Sequence, residues 1–363
     1  MIAFATSFVA CKKDETSTEN KSLVIPSAYD SANFIWNLGD LITFRQNFDA
    51  MVNEAKKGRV SGQTVSGVAI QNAFQAGDLS IAAVTNSVFS GKLFGSNNDG
   101  WFNKIEQVSG KTYHVDSANN TGGTFGGYLF DENGFEPEQI IEKGLFGAAL
   151  ANYAQTVLKS PGLAEVDQAL YVLGFTTHFV NSSDAKYGSA ADKYLAVYVA
   201  RRDKNDGNGL YTAFKKNVIA MQAHQKAGSD YTNETLYDRK SVLLTWEKAI
   251  LATVVNYCFS SHAKFTMTNP QANDNGAGLH AVGESIGFLG GLKGIPEKKT
   301  TNAQVDELLS LLKSNKPAVF VTDAFTNAPA LLQVIARIKS IYGFTDQEIE
   351  DFKVNWVTTQ NRQ

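Results

Sequence analysis

The stretch GAGLHAVGESIGFLGGL at residues 276–292 constrains the fold of this chain more than any other segment. Six glycines in seventeen residues would each weaken an exposed helix by about 1 kcal/mol relative to alanine. A helix here must therefore face inward and be held by tertiary packing. Glycine at this density lets backbones come close together, so Gly283 and Gly287 are expected to face another helix at short range. His280 and Glu284 are four residues apart, which places them one above the other on a single helical face.

The remaining patterns are also helical. In LITFRQNFDAMVNEAKKG, residues Phe44, Phe48, Met51, Val52 and Ala55 recur at helical spacing, with Gly58 as a stop. EPEQIIEKGLFGAALANYAQTVLKSPG predicts a helix with Pro137 in its first turn and an end at Pro161-Gly162. Further helical patterns cover 164–176, 189–202, 209–226 and 238–260. TNAQ at 301–304 and TDQE at 345–348 have the form of capping boxes, and Gly343 stops the helix between them. The Gly/Asn-rich segment at 109–134 reads as a long loop with at most one hairpin. Strand–helix repetition is missing, so the expectation is an all-α protein. A length of 363 residues makes two packed helical bundles more natural than one.

A formal net charge of −3 and the lack of a basic cluster interleaved with aromatics exclude a nucleic-acid partner. The two cysteines sit in different surroundings. Cys258 lies in an apolar helical stretch and reads as a buried free thiol. Cys11 follows the apolar run MIAFATSFVA and precedes the polar KKDETSTENKS, the pattern of a lipoprotein signal with its lipobox at Phe8-Val9-Ala10-Cys11. The run is short and lacks a preceding positive charge, so the signal is expected to be truncated at its start. Residues 1–10 would be that signal, Cys11 the lipid attachment site, 11–25 a flexible tether and 26–363 the helical domain. No other apolar stretch approaches the ~20 residues of a spanning helix, so the expected membrane link is the lipid.

Taken in order, these segments resemble the imelysin-like proteins. GLHAVGESIGFLGGL is similar to their hallmark helix, in which a histidine precedes a glutamate by one turn. His280-Ala-Val-Gly-Glu284 has the longer spacing of a sister family of Gram-negative outer-membrane lipoproteins. NGFEPEQIIEKGLFGAALANY, TWEKAILATVVNY and FRQNFDAMVNEAKKG resemble its other helices, so the likeness covers roughly residues 30 to 345. Where the family carries Trp-Asp-Glu-Ala, this chain has Val166-Asp167-Gln168-Ala169, which keeps Asp167 and replaces the glutamate by an amide. The resemblance implies an imelysin-like fold, a lipid anchor on the outer membrane at the cell surface, and a setting of iron- or haem-linked uptake.

A protein-held iron or zinc ion needs converging histidine and carboxylate donors. His280 and Glu284 would supply two, and Glu142, Glu247 and Asp167, each an acid on an otherwise apolar helix, are candidates for the others. The alternative is that His280 and Glu284 pair with each other, or with Asn256 and Tyr257, and pin helices together. His114, in the long loop, reads as solvated. A His-Glu-x-x-His pair, a Gly-x-Ser-x-Gly elbow and a phosphate loop are all missing from the sequence, and no catalytic residue is assigned. The expected function is a lipid-anchored surface binding protein in nutrient uptake, of iron or an iron complex, working with an outer-membrane transporter or a sister lipoprotein. The alternative is a metal-dependent peptidase or hydrolase of the imelysin type.

Overall fold

A computed structural model describes residues 23–96, 99–117 and 120–362; the signal reading and Cys11 fall outside the described residues. Helices predominate, as the all-α expectation requires, and the strands among the described residues form one two-stranded hairpin. A central helix, Thr232–Phe265, runs for 34 residues, about 51 Å at 1.5 Å per residue. Against it pack Leu210–Ala227, Pro329–Tyr342 and the glycine helix, Ala272–Leu292. The buried apolar side chains form one continuous cluster from Tyr29 to Val357.

The central helix corrects one expectation. The segment Ser229–Phe265 is long and apolar enough to cross a membrane, with a window of mean hydropathy 1.3. That window is 72% buried inside the protein, which marks a core helix surrounded by other helices.

Local signals account for most boundaries. Leu41–Lys56 buries Phe44, Phe48, Met51, Val52 and Ala55, and passes into a short 3-10 turn, Lys57–Arg59. Thr301 with Gln304 and Thr345 with Glu348 form reciprocal capping boxes. Gly343 closes Pro329–Tyr342 in the left-handed region, at φ 67°. The pattern at 189–202 overreached. Residues Ala185–Ala190 form a 3-10 turn capped by Asp184 and broken at Gly188, whose φ is 53°, and the helix proper is Tyr194–Arg201.

The Gly/Asn-rich segment contains the hairpin, Gly123–Phe125 paired antiparallel with Tyr128–Phe130. Phe125 faces Tyr128 across a two-residue turn, Gly126-Gly127, in which both φ angles are positive (56° and 86°). That is the primed turn whose twist suits a tight hairpin. Its tip lies against the start of the glycine helix, where a Cβ on Gly276 would sit 2.8 Å from the Gly126 Cα.

From Gly276 onward the glycine helix is nearly all buried. Besides the central helix, it packs on the acidic helix, Pro137–Leu145, which continues through a π turn, Phe146–Ala151, into Asn152–Val157. The two backbones touch. A Cβ on Gly287 would lie 2.5 Å from the Gln139 carbonyl oxygen, and one on Gly291 only 2.2 Å from that of Gly144. Gly283 is looser, with Glu136 Cβ at 3.1 Å from its own added Cβ. The π turn begins where Gly147 meets the backbone of Gly291.

This packing separates two adjacent residues. A Cβ on Gly290 meets only the Phe89 ring at 3.8 Å, an ordinary contact. Gly290→Ala should leave stability unchanged or raise it by up to about 1 kcal/mol through helix propensity. Gly291→Ala should destabilise by about 1–3 kcal/mol through overpacking against backbone. Urea denaturation of both variants checks this; equal effects would refute the backbone contact.

Candidate functional site

His280 and Glu284 stand at the centre of a buried network of charges. The His280 side chain is 17% exposed. Its Nδ1 lies 2.8 Å from Oε2 of Glu136, which is wholly buried, and its Nε2 lies 3.6 Å from Oε2 of Glu284. Glu136 owes this position to the sequence. It precedes Pro137, which disfavours helical backbone in the residue before it, and it is extended at φ −101°, ψ 97°. Its side chain thereby turns toward the glycine helix, where Gly283 leaves room for it.

The hairpin closes the other side of the imidazole. The Tyr128 ring stacks on His280 with centroids 4.1 Å apart and planes at 15°. Arg59, in the 3-10 turn after Leu41–Lys56, lies over the same tyrosine at 5.4 Å. Its guanidinium grips buried Glu138 through Nε at 2.5 Å and a second nitrogen at 2.9 Å. This two-point fork is the strongest form of the arginine–carboxylate pair.

Glu284 is held from its other oxygen. Lys143 Nζ lies 3.5 Å from Oε1, and the Tyr198 hydroxyl donates to the same atom at 3.4 Å. The Tyr257 hydroxyl also bonds to Glu284. Lys143, almost fully buried, reaches Glu142 at 2.7 Å, and Lys56 reaches Glu142 at 3.3 Å. Four carboxylates (Glu136, Glu138, Glu142, Glu284) thus face three fixed cations (Arg59, Lys56, Lys143), and one further proton makes the set neutral.

The titration shifts agree with that balance. Burial alone would lower the His280 pKa, but the charge and hydrogen bond of Glu136, helped by Glu284, hold it above its ordinary 6.5. Burial pushes Glu138 up to about 7, with Glu136 adding to the rise and Arg59 opposing it. Burial also acts to raise Glu142, but Lys143 and Lys56 prevail and hold it down to about 2. Lys143 is raised: the pull of Glu142 and Glu284 outweighs its burial.

Of the five metal candidates, the structure brings three into one network: His280 and Glu284 directly, and Glu142 through Lys143. The other two lie elsewhere, and their donors are in use. Glu247 accepts the backbone N–H groups of Lys299 and Thr300 at 2.7 and 2.8 Å and the Tyr342 hydroxyl, so it anchors the loop that follows the glycine helix. Asp167 accepts the Tyr29 hydroxyl and Asn37 Nδ2 and tethers the first folded segment. Gln168 beside it donates to the Asn37 carbonyl at 2.9 Å and accepts from Tyr153 at 3.1 Å. An ionised glutamate could not make that donation, which accounts for the amide. Asn256 does not reach Glu284; it donates to the carbonyls of Phe352 and Lys353. His114 is exposed.

The donor set does not fit a protein-held metal ion. Among the described residues no group of three or more His, Cys, Asp and Glu is arranged to hold one. The Lys143 ammonium already occupies the space beside Glu284 where a cation would gain most. What the network does chemically is neutralise itself.

Glu136, Glu138, Lys143, Arg59 and Tyr128 were not singled out by the sequence reading. One signal was present in FEPEQIIEK: Glu136, Gln139 and Lys143 recur three and four residues apart, polar groups at the spacing of an inward face. Arg59 and Tyr128 carry no local signal, since long-range folding brings them in. Comparison with models of known families, with curated proteins and with solved structures found no match to this chain.

The pKa directions set a pH dependence. A histidine raised in the folded state contributes stability that is full below its unfolded pKa and is lost as pH rises through the folded value. Glu138, raised from 4.5 to about 7, acts in the same direction, because between those values the folded state holds a proton that the unfolded state has released. The stability advantage of the wild type over His280→Gln should therefore be largest near pH 5.5 and shrink steadily toward pH 9. Urea midpoints across that range test it; an advantage that grows with pH would refute the protonated His280–Glu136 pair.

Proposed function

We propose that this protein is a non-enzymatic, lipid-anchored surface binding protein serving nutrient uptake at the outer membrane, and that it captures an iron complex rather than a bare ion. Its helices are proposed to follow the imelysin-like arrangement of two bundle halves, with the glycine helix at their junction. A partner outer-membrane transporter or sister lipoprotein would receive the cargo. The anchor is Cys11, and the resemblance of the hallmark helix supplies the iron setting.

The observation that carries the reading is the Lys143 ammonium beside Glu284. With that cation in place, the His280–Glu284 pair is short of donors and already neutralised. A metal bound by this protein would have to arrive with its coordination sphere filled by its own ligands. The same observation weighs against the metal-dependent peptidase, which needs an open metal with a bound water.

The test is genetic and biochemical. A strain lacking the protein should grow more slowly when iron is supplied only as chelates or haem, and a Cys11→Ser copy, released from the membrane fraction, should fail to restore growth. Normal growth of the deletion strain, together with zinc-dependent peptide cleavage by the purified protein, would overturn the proposal in favour of the hydrolase.

A further inference from the structure

A second site lies apart from the His280 network. The short helix Phe34–Leu38, the helix Leu41–Lys56 and the chain at 171–193 enclose a cleft of about 550 Å³. This is within the range of small-molecule sites. Phe34, Leu38, Ile42 and Phe175 give it an apolar lining. Arg45, only 7% exposed, lines it as well.

Arg45 is unusual in its company. Its guanidinium lies 4.0 Å from the ring centroid of Tyr171 and 4.8 Å from that of Tyr194. Among the described residues it makes no ion pair. The nearest acid along its helix, Asp49, is engaged elsewhere: it accepts the Tyr194 hydroxyl at 2.8 Å and lies 3.7 Å from Lys193 Nζ. Asp49 and Lys193 therefore balance each other, and the charge of Arg45 is left over. A buried guanidinium without a carboxylate is costly, and the tyrosine faces, with a hydrogen bond to the Tyr194 side chain, compensate it only in part.

The chain goes to some length to keep this arrangement. Tyr194 adopts a left-handed backbone, φ 46°, which an aromatic residue rarely does. Just before it, the Lys193 N–H donates to the Gly174 carbonyl at 2.9 Å. Gly174 itself (φ 96°) has no room for a side chain: an added Cβ would lie 1.9 Å from the Lys193 carbonyl oxygen. The strained residue is the one whose ring covers Arg45 and whose hydroxyl occupies Asp49.

From this geometry we infer that the cleft is a binding site for an organic anion with an apolar body, its carboxylate or phosphate on the Arg45 fork and its hydrocarbon part against Phe34, Leu38, Ile42 and Phe175. The planar guanidinium matches either oxyanion with two parallel hydrogen bonds. This inference rests on the cleft alone and does not depend on the iron reading.

Calorimetric titration of the purified protein tests it, with octanoate, octyl phosphate and 4-phenylbutyrate as probes and the matched alcohols octanol and 4-phenylbutanol as neutral controls. At least one anion should bind to a single site at least tenfold more tightly than its alcohol. Preference between octanoate and octyl phosphate identifies the head group, and the phenyl probe identifies the body. Arg45→Met, which keeps the unbranched stem, should weaken the anion at least tenfold and leave the alcohol within twofold. Should that variant fail to fold, Ile42→Glu on the exposed rim decides: it should weaken the anion at least tenfold at an unchanged melting temperature. Alcohols binding as tightly as anions, anions binding equally to either folded variant, or no saturable binding of any probe would overturn the inference. Because the readout uses purified protein, it fails or stands separately from the growth test of iron uptake.

Discussion

Backbone contact between the glycine helix and the acidic helix sets the terms for everything around it. With Gly287 against the Gln139 carbonyl and Gly291 against that of Gly144, the helices lie closer than any pair carrying side chains at those positions. At this separation Glu136 and Lys143 reach past the glycines to His280 and Glu284 on the partner helix. Wider spacing would part Glu284 from Lys143 and Glu136 from His280, leaving two carboxylates buried without these partners at a cost of several kcal/mol each. The glycines are therefore an electrostatic requirement as well as a steric one.

The network also ties in distant segments. Arg59 comes from the turn that ends the first long helix, Tyr128 from the hairpin, Tyr198 from Tyr194–Arg201 and Tyr257 from the central helix, so with the acidic and glycine helices one neutral cluster fastens six pieces of chain. The proton that completes neutrality falls to His280 and Glu138, whose pKa values are both raised: that of His280 by Glu136 and Glu284 against its burial, that of Glu138 by burial with Glu136 adding to it. Such a set is stable as a whole and vulnerable to the loss of any member.

Helix existence and type were legible in the sequence because they rest on local physics. The apolar stripe of Leu41–Lys56, the capping boxes at Thr301 and Thr345 and the stop at Gly343 all read through to the structure. The candidate site was legible only in half. His280 and Glu284 stand out because four-residue spacing is a helical rule, whereas Arg59 and Tyr128 are joined to them by a hairpin register and a 3-10 turn that no periodicity encodes. Glu247 and Asp167 misled for a related reason. A buried acid on an apolar helix signals that a partner exists without saying which, and theirs are backbone amides, hydroxyls and an asparagine.

A cluster that neutralises itself is a fastener. The account turns on Lys143 and Glu284 acting as a buried pair rather than as half of an open centre. A double-mutant cycle with Lys143→Met and Glu284→Gln, read by urea denaturation at pH 7, measures this directly. Lys143→Met should cost about 3–5 kcal/mol, because it strands Glu284, and Glu284→Gln should cost less, because Lys143 keeps Glu142 at 2.7 Å. The double variant should cost less than the sum by more than about 1 kcal/mol. Single changes that cost nothing, and a double that is simply additive, would contradict the account.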